Sequence, residues 1–126
     1  CADFPTCQGS YLPEMDFKSG FDLNQEVGPN YLYGLLDNPA RVAIHYTHRI
    51  SALLVTFIFL ILMSRLWFSD AAPLASTLGI LLLTQITLGI INVVKVLPLY
   101  VAIAHNLVAA CLLLATFTVN YLAWKK

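Results

Sequence analysis

The sequence is short of charge. Only 11% of its 126 residues are Asp, Glu, Lys or Arg, against 59% that are hydrophobic. Soluble domains carry roughly 25% charged and 45–50% apolar residues, so this chain has too little polar surface to cover a soluble core. The composition is that of an integral membrane protein. Formal net charge is zero and no basic stripe is present, which excludes nucleic acid as a partner class. No secretory signal opens the chain: Cys1 onward lacks a basic start and an apolar core. Starting on cysteine rather than methionine, it reads as a piece of something longer. Nucleophile elbows, phosphate-binding glycine loops and paired catalytic carboxylates are all missing. Any redox chemistry must therefore come from a cofactor.

Cysteine is scarce too. Cys1 and Cys7 lie in the polar start of the chain, and Cys111 lies in an apolar run. The Cys1–Cys7 spacer is too wide for a CxxC redox motif and lacks the histidines of a zinc site. The pair reads as a loop disulfide where that side is oxidising, with two free thiols as the alternative. Cys111 reads as a small buried apolar residue.

The charge that is present is unevenly placed. Asp3, Glu14, Asp16, Asp22, Glu26 and Asp37 precede the first apolar run, against Lys18 alone. Residues 1–37 therefore form a water-facing segment. Its prolines, glycines and scattered aromatics show no period, so an ordered loop at the membrane interface is expected. Gly28-Pro29-Asn30 reads as a turn, and residues 31–36 could form a short surface helix. Residues 38–126 read as three spans, at about 39–66, 73–96 and 99–124, each near the ~20 residues a bilayer needs. Asp37 or Asn38 can cap the first, with Pro39 in its first turn. Asp70 can cap the second, and Pro98 breaks the chain before the third. Arg65 and Lys125-Lys126 fall on one side, the acidic loop and Lys95 on the other. By the preference of basic residues for the inside, the loop is outside and the C-terminus inside.

The first turns of the first span carry two histidines, His45 and His48, and two arginines, Arg41 and Arg49. Ionisable groups in a membrane helix are costly and usually face a partner or a site. His48 lies roughly 13 Å, and His105 roughly 9 Å, from the outer ends of their helices at 1.5 Å per residue. Two imidazoles at similar depth are what a six-coordinate haem iron needs. A polar packing pair and a proton relay are the other readings that spacing alone allows. His45, one turn above His48, is a competing ligand or a partner for a haem propionate. Arg49 suits a propionate, a carboxylate or backbone carbonyls, or can snorkel to the interface. Ser51 and Ala52 below His48, and Val108 and Ala109 below His105, leave room for a flat ring or for close helix packing. Gln85, Gly89 and Asn92 share one face of the second span. They read chiefly as polar glue between helices, with a pocket wall as the lesser alternative.

Cys1 to Gly9, Asn38 to His45, Thr47-His48-Arg49, Gln85 with Leu88-Gly89-Ile90, and Ala104-His105-Asn106 together resemble the haem A synthase family. The resemblance covers essentially the whole chain. It implies the second of two similar four-helix halves, less its first helix. In that half a haem b is held by one histidine of a His-Arg motif and one on the last helix. Those positions are His48 and His105 here, with His45 and Arg49 beside the cofactor and a loop disulfide between Cys1 and Cys7. The parent reaction so implied is oxidation of haem O to haem A for terminal oxidase assembly, with this portion relaying electrons. The family's first half carries a glutamate three residues before its His-Arg histidine. Here that place is His45, so no catalytic carboxylate is assigned and this piece alone is not expected to be catalytic. The implied setting is a bacterial or mitochondrial inner membrane. The implied partners are haem O held by the absent half, haem O synthase, cytochrome oxidase assembly proteins or a second copy. A b-type electron carrier and a non-enzymatic assembly subunit are the rival functions.

Overall fold

A computed structural model describes residues 1–24, 35–69 and 71–125. The turn at Gly28-Pro29-Asn30, most of the helix read at 31–36, and the cap at Asp70 fall outside them. The described residues are helical, without named strands: α1 (Phe17–Gly20), α2 (Asn38–Trp67), α3 (Ala72–Val94) and α4 (Leu99–Trp124). The last three are long and apolar enough to cross a membrane. Many of their apolar side chains are exposed, as with Phe57, Leu113 and Phe117. Helices with so much apolar surface turned outward are at home in lipid, and the fold is an all-α membrane one. Contacts divide the chain into two compact units, residues 1–53 and 54–126, which are taken separately.

In the first unit the N-terminal segment folds around one carboxylate. Asp3 accepts from the Thr6 hydroxyl at 2.6 Å, the Gln8 amide at 2.7 Å and the Gly9 amide at 3.0 Å. Gln8 and Gly9 both have positive φ, at 55° and 74°, a conformation that costs a non-glycine residue energy. The bonds to Asp3 offset that cost at Gln8. Cys1 and Cys7 are joined by a disulfide, and Cys7 exchanges backbone hydrogen bonds with Ser10.

α1 was not legible as a period, being only 4 residues long. Its cap is chemical: the Asp16 carboxylate accepts from the Ser19 amide at 3.0 Å and the Ser19 hydroxyl at 2.6 Å. Those bonds hold the Asp16 carboxyl below its ordinary range. α1 then seats on the start of α2. The Asp16 amide donates to the Pro39 carbonyl at 3.1 Å, and Gly20 is buried against Ala40, Ala43 and Ile44. Ala40, Val42 and Ala43 are buried in turn. Phe17 and Phe21 stack with centroids 6.5 Å apart, one exposed apolar edge of this segment.

In the second unit the end of α2, α3 and α4 share a core. Leu78, Leu82, Leu112 and Val119 are buried, with Phe59, Met63, Leu66 and Ala115 packed on them. Position 111 precedes Leu112 and so turns about 100° from the core-facing stripe. Cys111 is accordingly a free, exposed cysteine, which corrects the expectation of a buried one. The α3–α4 link is tight: Val96 and Leu97 take φ of 56° and 57°, and the Leu97 amide bonds the Asn92 carbonyl at 2.7 Å. Pro98 then caps α4, its carbonyl accepting from Val101 and Ala102.

Two expected outcomes follow from the first unit. A Cβ at Gly20 would lie 2.9 Å from the Ala40 carbonyl oxygen, so Gly20→Ala should cost about 1–3 kcal/mol by overpacking. It would be read as a lower unfolding midpoint and faster proteolysis near α1. The Asp3 carboxyl is lowered from 3.8 to about 2, first by the Thr6 hydroxyl and then by the Gly9 amide. A depressed carboxyl stabilises above its ordinary value and loses that contribution as pH falls through the folded one. The Gln8 and Gly9 amide resonances should therefore hold until pH nears about 2; a transition at the ordinary value would refute the hub.

Candidate cofactor-binding site

The first unit presents His45, His48 and Arg49 from α2. His45 is half-buried and His48 exposed. Arg49 is the residue whose partners the sequence left open, and it faces backbone carbonyls. Its guanidinium donates to the carbonyls of Asp3 at 2.7 Å, Thr6 at 2.8 Å and Pro5 at 3.3 Å. It also lies 5.7 Å from the Phe4 ring centroid. Hydrogen bonds from a charged donor are roughly twice as strong as neutral ones. Arg49 is thus the clasp that holds the disulfide-closed segment against α2.

The N-terminal segment touches α2 at Pro39 and again at Arg49, a stretch of roughly 15 Å along the axis. It runs beside the first turns of α2 rather than only above them. A helix of 30 residues is roughly 45 Å long, against about 30 Å of hydrocarbon.

The second unit presents His105 from α4. Its Nε2 lies 3.1 Å from the Gln85 Nε2 of α3. One turn further along the same face, Gly89 leaves the ring room: a Cβ there would lie 3.2 Å from His105 Cε1. Asn92, the next polar residue on the stripe, is buried. The side-chain oxygens of Gln85 and Asn92 are buried without a hydrogen-bond partner among the described residues. The stripe read chiefly as helix glue is thus the face against which His105 packs. The small residues expected below the histidines are less telling: Ser51, Ala52 and Ala109 are exposed. No cluster of three or more His, Cys, Asp or Glu that could hold a metal is found among the described residues.

Comparison with known proteins gives two matches. The sequence model of a family described as cytochrome oxidase assembly protein matches residues 1–117. A heme A synthase from Shewanella oneidensis is 39% identical over 127 residues, covering 100% of this chain and 38% of the relative. The chain therefore spans 38% of that relative's length. No solved structure matches it. With three helices long and apolar enough to cross a membrane and a match that runs from the Cys1–Cys7 segment through His48 and past His105, the chain belongs to the haem A synthase family of cytochrome oxidase assembly proteins.

Proposed function

We propose that this chain is part of a haem A synthase that oxidises haem O to haem A, and that its share is to hold a haem b for electron transfer. The observation that carries the reading is the unbroken family match over residues 1–117, which takes in every histidine of the chain. The donor type suits the cofactor, while the His105 ring as it stands turns Nε2 onto Gln85 and Nδ1 onto Gly89 of α3. Imidazole is a haem iron ligand, and α3 offers the His105 ring a neutral amide partner and a bare backbone at Gly89.

In this reading His48 and His105 are the two iron ligands. A haem b that they would hold would supply one-electron transfer. The protein's part is to order the ligands. Gln85 engages one nitrogen of the His105 ring. Arg49 keeps the N-terminal segment seated on α2 directly beside His48, its terminal nitrogens on loop carbonyls. His45, half-buried one turn above, is the neighbour for a propionate. Residues 1–37 lie on the outer side of a bacterial or mitochondrial inner membrane and the C-terminus on the inner side. Haem O is held by the rest of the parent protein, where its methyl group becomes a formyl. Haem O synthase, oxidase assembly proteins or a second copy are the partners in keeping with that role.

A non-enzymatic assembly subunit is the second reading, favoured by the way His105 packs on Gln85. Spectra separate the two. In the purified full-length protein, His48→Ala and His105→Ala should each abolish a low-spin b-type absorption spectrum. His45→Ala should weaken it or leave it intact. Full retention of the spectrum in both of the first two variants would reject the ligand assignment.

A further inference from the structure

We propose that the disulfide-closed ring of residues 1–7 is a redox-gated receptor for Arg49. Joined, the ring holds the guanidinium; opened to two thiols, it lets that charge go beside His48. No ligand role for any histidine is needed.

Topology is the first support. Arg49 donates to the carbonyls of Asp3 at 2.7 Å, Pro5 at 3.3 Å and Thr6 at 2.8 Å. All three lie between Cys1 and Cys7, which the disulfide joins. The Phe4 ring, 5.7 Å from the guanidinium, belongs to the same stretch. The covalent ring and the receptor are therefore the same residues. The second support is the weakness of the other closure. The Asp3 carboxylate also ties this stretch to the Gln8 and Gly9 amides, but both bonds are exposed. Water competes for such bonds, and little net stability remains. Gln8 also holds a positive φ of 55°, which opposes the turn. Cys7, by contrast, is buried.

Three carbonyls must converge at once to hold one guanidinium, and the freedom of an open chain opposes convergence. A cross-link removes that freedom. Opening it takes two electrons and two protons. A dithiol attacks the S–S bond, passes through a mixed disulfide and departs as its own disulfide, leaving Cys1 and Cys7 as two thiols. The partner class is a dithiol reductant. The third support is what the closed ring leaves unmet. Arg49 Nε is buried without a hydrogen-bond partner among the described residues. A guanidinium held by its terminal nitrogens alone has a bond to gain elsewhere, and an oxyanion takes two of its N–H groups together. Release therefore turns a clasp into an anion-seeking charge on the turn of α2 that carries His48.

The test treats the full-length protein with dithiothreitol and uses phenylglyoxal as the probe of unheld arginine. Mass spectrometry counts the thiols and locates the adducts. With the disulfide intact, Arg49 should resist the probe while the exposed Arg41 and Arg65 react. With two thiols formed, the Arg49 rate should rise about tenfold or more, the worth of one hydrogen bond to a charged group. Arg41 should be unchanged, and the Asp16 amide, bonded to the Pro39 carbonyl, should stay protected from hydrogen exchange. Reoxidation should restore the resistance of Arg49. Asp3→Asn, with the disulfide intact, should leave Arg49 resistant. An Arg49 rate unmoved by two thiols would overturn the gate. So would a disulfide that opens only as the Asp16 amide also loses protection, because the bond would then be a plain structural staple. Release of Arg49 by Asp3→Asn alone would assign the hold to the carboxylate and overturn the part given to the disulfide.

Discussion

A polar group inside a bilayer has no water to turn to, and leaving it unpaired costs several kcal/mol. The three long helices meet that constraint for many of their groups, while the side-chain oxygens of Gln85 and Asn92 stay buried without a partner among the described residues. Hydroxyls fold back onto their own helix: Thr47 onto the Ala43 carbonyl at 2.8 Å, Thr84 onto Ile80 at 2.8 Å, Thr116 onto Leu112 at 2.7 Å. Such residues cost the span little and ask nothing of a neighbour. Arg49 and His105 are different, because neither can be satisfied by the turn above it. Each draws in another part of the chain, and those two engagements organise the two units.

Arg49 organises the first. Its partners lie 43 to 46 residues back in sequence, so one guanidinium closes the longest loop of the unit. The carbonyls reach it because the N-terminal segment is already shaped, by the Asp3 hub and the Cys1–Cys7 disulfide. α1 extends the same seat upward, where Gly20 lets its backbone meet the Ala40 carbonyl. One charged residue of α2 thus becomes the reason the N-terminal segment lies along that helix. His105 organises the second unit in a quieter way. Its ring takes a polar partner from the neighbouring helix, Gln85, with Gly89 as the gap beside it.

The spans were legible because hydropathy over twenty residues is a strong, local signal. α2, α3 and α4 depart from the expected 39–66, 73–96 and 99–124 by at most two residues at any end. Pro39 and Pro98 mark starts because a missing N–H is harmless there. What failed was whatever depends on contact. α1 is one turn long, and only the Asp16–Ser19 spacing hinted at it. Cys111 was misplaced because hydropathy does not tell which face of an apolar helix meets protein. For Arg49 the sequence offered propionate, carboxylate and carbonyl alike, since a guanidinium suits all three. The stripe at Gln85, Gly89 and Asn92 was visible as a face, but its opposite number, His105, was not. Helix register across α3 and α4 is set by packing, and one sequence does not encode it in readable form.

The account turns on iron held by imidazoles from two different helices. Electron–nuclear double resonance on the low-spin ferric haem of ¹⁵N-histidine-labelled full-length protein counts those ligands directly. Two coupled histidine nitrogens are expected on this haem in the unsubstituted protein, and no low-spin haem carrying two in either His48→Ala or His105→Ala. A haem whose coupled nitrogens persist unchanged through both substitutions would contradict it.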